Sequence, residues 1–471
     1  MKPLSIKEVT DAIGGRAASK GSAAVISGVS TDSRTIQPGE LFVPLEGENF
    51  DGHDYIIQAA EKGAAAVLTH NLNKTLPQGV HTIVTGNTLK ALQELAAWYL
   101  RSLPIPIIAV IGSTGKTTTK DLLSLVLSKK YQVLRTEENF NNEIGLPMTL
   151  FQLEPHHEIG VLEMGMSGFG EIKRLTAIAP PRAVVFTNIG VSHMEKLGSR
   201  DNIWKAKSEV LGYLHDGCTV FLNDDNDILR REGKRMIDIS TPYKVVRYGT
   251  GDEVDYRAEN IQLLGETGIT YDLAAEGRTW SISLKVPGRH NVLNSLAAIA
   301  AGREFGVELA DIQKALTLYT GADMRLDIFS VPSLEDVKVI DDAYNASPDS
   351  VQAALKILED MKEGSRKIAI LGDMLELGEY TKEAHRLIGK WVADYGINLL
   401  ITIGKAGIWT AEGALKSGMN PKAVIHRNSN SEIIYWLKEN LWHGDRVLVK
   451  GSRGMKMEEI VSHLRQERDS N

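Results

Sequence analysis

Seven residues, Gly112, Ser113, Thr114, Gly115, Lys116, Thr117 and Thr118, follow the apolar run at 107–111. A buried strand, a glycine turn and a helix start in that order suit phosphate binding. The glycines let backbone N–H groups close around phosphate oxygens, and the helix start adds partial positive charge. The lysine then reaches the terminal phosphates, and the Thr117 hydroxyl is placed to ligate magnesium. Val110 stands where the full GxxxxGK(S/T) pattern has its first glycine, so the loop is a shortened variant. Two further residues follow apolar runs: Glu163 after 159–162, and His193 a few residues after 183–187. A carboxylate at the end of a strand can hold magnesium beside such a loop. A single histidine there more often has a structural role than a ligating one.

Side chains scattered like this need a sheet whose strand ends converge. From residue 105 onward, β-branched runs at 107–111, 159–162, 183–187 and 219–222 alternate with helical patterns at 118–127, 291–305 and 312–319. Such alternation predicts a mostly parallel sheet with helices on both faces. A second alternating set, with runs at 337–340, 367–371, 399–403, 423–425 and 446–449, predicts a separate open α/β sheet. Before residue 103 the apolar runs are short and broken by turn residues, as expected of a small α/β domain. Its last helical pattern, 89–103, stops before Pro104 and Pro106. The expected organisation is therefore an α/β fold in three domains: 1–103, a central ATP-binding domain at 104–320, and a Rossmann-like domain at 321–471.

A chain of 471 residues exceeds what one hydrophobic core supports. With 53 Lys and Arg against 60 Asp and Glu, its net charge of −7 offers no electrostatic footprint for nucleic acid or an anionic membrane. The single cysteine, Cys218, excludes an internal disulfide and is expected to be a small buried residue. No apolar run approaches a membrane span and the amino terminus has no apolar signal core, so a cytoplasmic protein without membrane insertion is expected.

Gly112 to Lys120 is similar to the GTxGKTTTK loop of the Mur ligases, ATP-dependent enzymes that add amino acids to the peptidoglycan precursor. Residues 136–147 resemble that family's TxGNxNNxIGxP segment, with Glu138 where glycine is usual, and 288–294 resemble its GxHNxxN adenine-side motif. The resemblance covers nearly the whole chain. It implies ATP and Mg2+ as cofactors, with Thr117, Glu163, His193 and Lys207 as magnesium ligands. Lys207 stands fourteen residues after His193, where the family carries a carbamoylated lysine. It also implies that Asn294, Arg325 and Asp341 join the loop in binding ATP. Asp32, Ser33, Arg34, Asn139, Asn141 and Asn142 are implied to bind the uridine-diphosphate precursor, as is the segment 45–53.

The third domain carries no Asp-Asn-Pro-Arg segment of the kind found in diaminopimelate-adding members. Its segments at 344–348, 371–378 and 450–458 resemble those of the branch that adds D-alanyl-D-alanine to UDP-N-acetylmuramoyl-tripeptide. That assigns Tyr344, Asn345, Asp373, Leu375, Lys450, Ser452 and Arg453 to the amine substrate. The expected reaction is attack of a carboxylate on the ATP γ-phosphate, with Lys116, His193 and Lys207 serving catalysis, followed by displacement of phosphate by the amine. A monomer is expected. A folate-polyglutamate-type ligase shares this core chemistry without the amino-terminal uridine segments, and a P-loop protein that ligates nothing is the rival from another class.

Overall fold

The computed structural model describes residues 1–19, 21, 25–72, 76–332, 334, 336–361 and 365–466. Three α/β sheets are strung along the chain. The first is five-stranded, in the order Arg16–Ser19, His81–Val84, Ala66–Thr69, Glu40–Phe42 and Gly28–Ser30, parallel except for its first pair. The helix Thr88–Ser102 closes this part. Asn87 caps its start by accepting the Lys90 N–H at 2.8 Å, and it ends two residues before Pro104.

The central sheet has nine strands. Seven are parallel, in the order Val133–Arg135, Ile159–Glu163, Ile107–Ile111, Ala183–Phe186, Thr219–Asn223, Lys244–Gly249 and Tyr256–Leu263. The strands Ile269–Ala275 and Arg278–Leu284 extend it as an antiparallel meander. Ile107–Ile111 is buried at all five positions, as a central parallel strand covered on both faces must be. The phosphate-loop helix, Lys116–Leu127, packs against His290–Glu304. Gly302 permits that approach, since a Cβ there would run into Val126.

The third sheet has the order Asp327–Ser330, Lys338–Asp342, Arg446–Lys450, Lys367–Leu371, Leu399–Ile403 and Val424–Arg427, with only the first strand antiparallel. Core residues line both of its faces.

The meander and the strand Lys244–Gly249 were not anticipated from the sequence. Arg278–Leu284 alternates exposed and buried positions, and much of Tyr256–Leu263 is exposed, so neither gives the continuous apolar run of its parallel neighbours. The Pro104 and Pro106 break also differs in kind from the expectation. One continuous apolar cluster runs from the first sheet into one face of the central sheet, with Tyr99 fully buried and its hydroxyl donating to the Leu153 carbonyl at 2.8 Å. The prolines mark a change of sheet without a break in packing. Cys218 is buried, as its small apolar character implied.

Candidate active site

Gly115 stands at φ 78°, and a Cβ there would sit 2.6 Å from Asn294 Oδ1, so the turn into the helix requires glycine. The loop is braced from the end of the neighbouring strand Ala183–Phe186. Asn188 Oδ1 accepts the Ser113 and Thr114 N–H groups at 3.1 and 2.8 Å, and Thr187 Oγ1 donates to the Thr114 carbonyl at 2.6 Å. Lys116 Nζ rests on the Gly112 carbonyl at 3.1 Å. Desolvation lowers the pKa of this lysine; Glu163 opposes the shift and the Arg325 cation adds to it.

Glu163 is buried at the carboxyl end of its strand. Its two oxygens accept from different neighbours, Oε2 from the Thr117 hydroxyl at 2.8 Å and Oε1 from Asn141 Nδ2 at 2.7 Å. A buried carboxylate and a hydroxyl oxygen side by side form the hard oxygen donor set that Mg2+ prefers, so these residues fit that ion. His193 lies at φ 62°, with Nδ1 2.7 Å from Glu376 Oε2 of the third sheet's loops. Burial pushes its pKa below the ordinary histidine value and Lys207 acts in the same direction, against the pull of Glu376. Lys207 is 1% exposed and donates from Nζ to the Gly112 carbonyl at 2.9 Å. Its pKa is driven well below the usual lysine value, first by desolvation and then by the Lys116 charge.

Lys116, Thr117, Glu163 and His193 open on a cleft of about 650 Å³ between the central and third sheets, and Lys207 lies behind its lining. The cleft is lined by the loop from Ser113 to Thr118 and by Asn139, Asn141, Asn142, Glu163, His193 and Asn294. Arg325, Tyr344, Asn345, Leu375, Lys450, Ser452 and Arg453 line it from the third sheet. The Arg325 guanidinium stacks 4.0 Å over the Tyr344 ring, and Arg453 stands 5.8 Å from the same ring. Lys450 Nζ is buried against Asp342 Oδ2 at 2.5 Å and the Asn345 carbonyl at 2.9 Å. Ser452 Oγ accepts the Leu375 N–H at 2.9 Å.

Several expected residues lie elsewhere. Asp341 does not line the cleft. Successive side chains on a strand point to opposite faces, so Asp342 takes that position while Asp341 faces Arg465 at 3.4 Å. Asp373 is also turned away, its carboxylate accepting the Ala406 and Gly407 N–H groups at the start of the helix Gly407–Lys416. Asp32, Ser33 and Arg34 lie outside the cleft on the first sheet. Asp32 pairs with Arg34 at 2.7 Å, and Ser33 Oγ donates to Gln58 at 2.7 Å. Asn141 was grouped with the uridine-binding residues, but its amide is engaged by Glu163. The sequence reading gave no role to Asn188, Asp342, Asp349 or Glu376. Asn188, Asp342 and Glu376 lie at or shortly after strand ends, the signal that singled out Glu163, whereas Asp349 lies in the first turn of the helix Pro348–Asp360. Asp349 ties the two sheets together by accepting the Val191 N–H at 3.3 Å.

Three family models match the chain in order. They are Mur ligase family, catalytic domain (residues 25–109); Mur ligase middle domain (110–302); and Mur ligase, glutamate ligase domain (324–453). The chain belongs to the Mur ligase family. A UDP-N-acetylmuramoyl-tripeptide--D-alanyl-D-alanine ligase of Bacillus subtilis (strain 168) is 41% identical to this Mur ligase, over 93% of each chain. The Escherichia coli (strain K12) protein of the same name is 32% identical over 99% of each. Among solved structures, MurF from Acinetobacter baumannii superposes with a TM-score of 0.88 at 28% identity, covering 99% of both chains. MurF from Thermotoga maritima in complex with ADP gives 0.80 at 26% identity, over 93% of this chain and 97% of that one. The three-domain α/β architecture of this Mur ligase is that of MurF.

Proposed function

We propose that this Mur ligase joins D-alanyl-D-alanine to UDP-N-acetylmuramoyl-tripeptide at the expense of ATP, in cytoplasmic synthesis of the peptidoglycan precursor. The observation that carries this reading is the single cleft in which the phosphate loop and Glu163 of the central sheet face Tyr344, Asn345, Leu375, Lys450 and Arg453 of the third. The near-full-length likeness to ligases of that name supports the substrate choice. No helix among the described residues is long and apolar enough to cross a membrane. The enzyme is proposed to work as a monomer, with domains meeting near residues 104 and 321.

In the proposed mechanism the loop amides from Ser113 to Thr118 and Lys116 hold the ATP phosphates. The precursor carboxylate attacks the γ-phosphorus, the bond to the β-γ bridging oxygen breaks, and ADP and an acyl phosphate result. The amine nitrogen of the dipeptide then attacks the acyl carbon, phosphate leaves, and the amine gives up a proton as the amide forms. Lys116 offsets negative charge that grows on the transferring group, the kind of fixed electrostatic help from which phosphoryl-transfer enzymes gain most. Thr117 and Glu163, with His193 and Lys207 beside them, would hold Mg2+, which when bound neutralises phosphate charge.

Lys207 suits carbamoylation because burial favours its neutral amine. The amine lone pair forms a bond to the carbon of CO2, one C=O electron pair moves to oxygen, and the nitrogen releases a proton. The product is an anionic oxygen donor in place of a cation. Arg325 and Asn294 are assigned to ATP and Ser33 with its turn to the uridine diphosphate. The cleft residues of the third sheet are assigned to the dipeptide.

The test is ADP release and product mass with ATP, UDP-N-acetylmuramoyl-tripeptide and D-alanyl-D-alanine. The expected result is ADP formation that requires both partners and a product heavier by the dipeptide less water. Faster turnover of free diaminopimelate, lysine or D-glutamate on the corresponding shorter precursor would overturn the substrate. ADP release indifferent to precursor and amine would overturn ligation itself.

A further inference from the structure

Away from the cleft, the first sheet holds a cluster of metal-ligating side chains, two of them in the segment 45–53 that the family resemblance assigns to the uridine diphosphate. Glu46 lies on the hairpin of strands Glu46–Gly47 and Phe50–Asp51, His53 in the turn Gly52–Tyr55 that follows, and His70 just beyond strand Ala66–Thr69. One ligand atom from each lies within 4.8 Å of the others. His70 Nε2 and Glu46 Oε1 are 3.0 Å apart, and the two imidazole rings meet edge-on with centroids at 4.3 Å.

A hydrogen-bonded histidine pair does not account for the nitrogens left over. The His53 side chain is fully buried. Its Nδ1 faces Asp51 Oδ1 at 2.7 Å, and a carboxylate can only accept, so Nδ1 carries a proton and, in the neutral ring, Nε2 presents a lone pair. That buried Nε2 has no hydrogen-bond partner, and neither has His70 Nδ1. Leaving a buried polar atom unpaired costs stability. A cation bound by these side chains would remove that cost at Nε2. The Asp51–His53 pair also reproduces the arrangement in which a carboxylate fixes the tautomer of a metal-bound histidine.

We propose that Glu46, His53 and His70 form a zinc site on the amino-terminal domain, distinct from the magnesium site of the cleft. Two imidazole nitrogens and one carboxylate are a Zn2+ donor set, whereas Mg2+ demands oxygens. In a tetrahedral site, ligand atoms about 2.0–2.1 Å from zinc lie about 3.3 Å apart. The 3.0 Å spacing of His70 Nε2 and Glu46 Oε1 is close to that edge. Three protein ligands leave a fourth position for water, and the half-exposed Glu46 provides the approach from solvent. Bound zinc would pin the Glu46–Asp51 hairpin to the end of strand Ala66–Thr69, stiffening a segment proposed to meet the uridine diphosphate.

The test is calorimetric titration of the full chain with Zn2+ under saturating Mg2+, together with the visible spectrum of Co2+ added in its place. The expected result is one Zn2+ per chain and an intense tetrahedral cobalt band, both retained in His193→Ala. Glu46→Gln and His70→Ala alter partly exposed side chains, and circular dichroism checks their fold. Each should weaken Zn2+ binding at least tenfold, and Asp51→Asn should weaken it by about ten- to a hundredfold through His53. Absence of Zn2+ binding to the wild type would overturn the site. So would binding that survives Glu46→Gln with His70→Ala, or binding that disappears in His193→Ala alone.

Discussion

His193 Nδ1 and Glu376 Oε2 meet at 2.7 Å although they belong to different sheets, and both residues hold left-handed backbone, at φ 62° and 61°. A non-glycine residue pays about 1 kcal/mol or more for that conformation, so packing on both sides must impose it. Glu195 N–H donates to the Glu376 carbonyl at 3.2 Å, and Gly378 lies against the Glu195 backbone, which brings the two loops together.

The carboxylate of Glu376 is what raises the His193 pKa against burial and Lys207. Replacing it by Glu376→Gln removes an anion that favours the imidazolium, so the His193 pKa should fall further. Proton NMR titration of the His193 ring in the nucleotide-free enzyme measures this. An unchanged or higher value would mean that the two side chains do not meet in solution.

This pairing marks the limit of what the sequence made legible. The phosphate loop, Glu163 and the fully buried parallel strands at its sides were visible because each rests on a local pattern: a continuous apolar run, then a turn, then a helix. Glu376 and Asn188 act on residues 183 and 74 positions away, and no local pattern reports such a partner. The choice between Asp341 and Asp342 turned on strand register alone, since adjacent acids on one strand face opposite sides. Asp373 was assigned to the amine substrate through the resemblance of its segment, yet its place after a buried strand lets it accept the first N–H groups of a neighbouring helix.

Lys116→Ala should leave the fold intact and reduce ligation by about a thousandfold or more, because its ammonium acts on phosphate charge. Initial rates of ADP release, beside circular dichroism, decide the point. Activity within about tenfold of wild type would contradict the role.

His290 makes stability depend on pH. Desolvation depresses its pKa from 6.5 to about 4, the Lys450 charge adds to this, and Asp342 opposes it. Between those values the unfolded chain binds a proton that the folded chain does not, so stability rises with pH and is lost on acidification from 6.5 towards 4. His385 and His193, whose pKa values are also lowered, contribute with the same sign. Urea unfolding across that window should show a slope in His290→Gln shallower than wild type by up to about 1 kcal/mol per pH unit. Equal slopes in the two proteins would show that His290 titrates normally in the fold.

Lys207 separates a cationic from an anionic role at one position. Its Nζ donates to the Gly112 carbonyl of the phosphate loop, and burial favours the uncharged amine. A purely structural lysine would be replaced best by another cation or by an apolar residue of similar length. A carbamate would be replaced best by an added anion that reaches the same space. Lys207→Ala should therefore be nearly inactive and regain activity with short carboxylic acids such as formate or acetate, and not with alkylamines of similar size. Rescue should saturate with acid concentration and leave the unfolding midpoint unchanged. Rescue by amines alone, or full activity in Lys207→Met, would remove the carbamate from the mechanism.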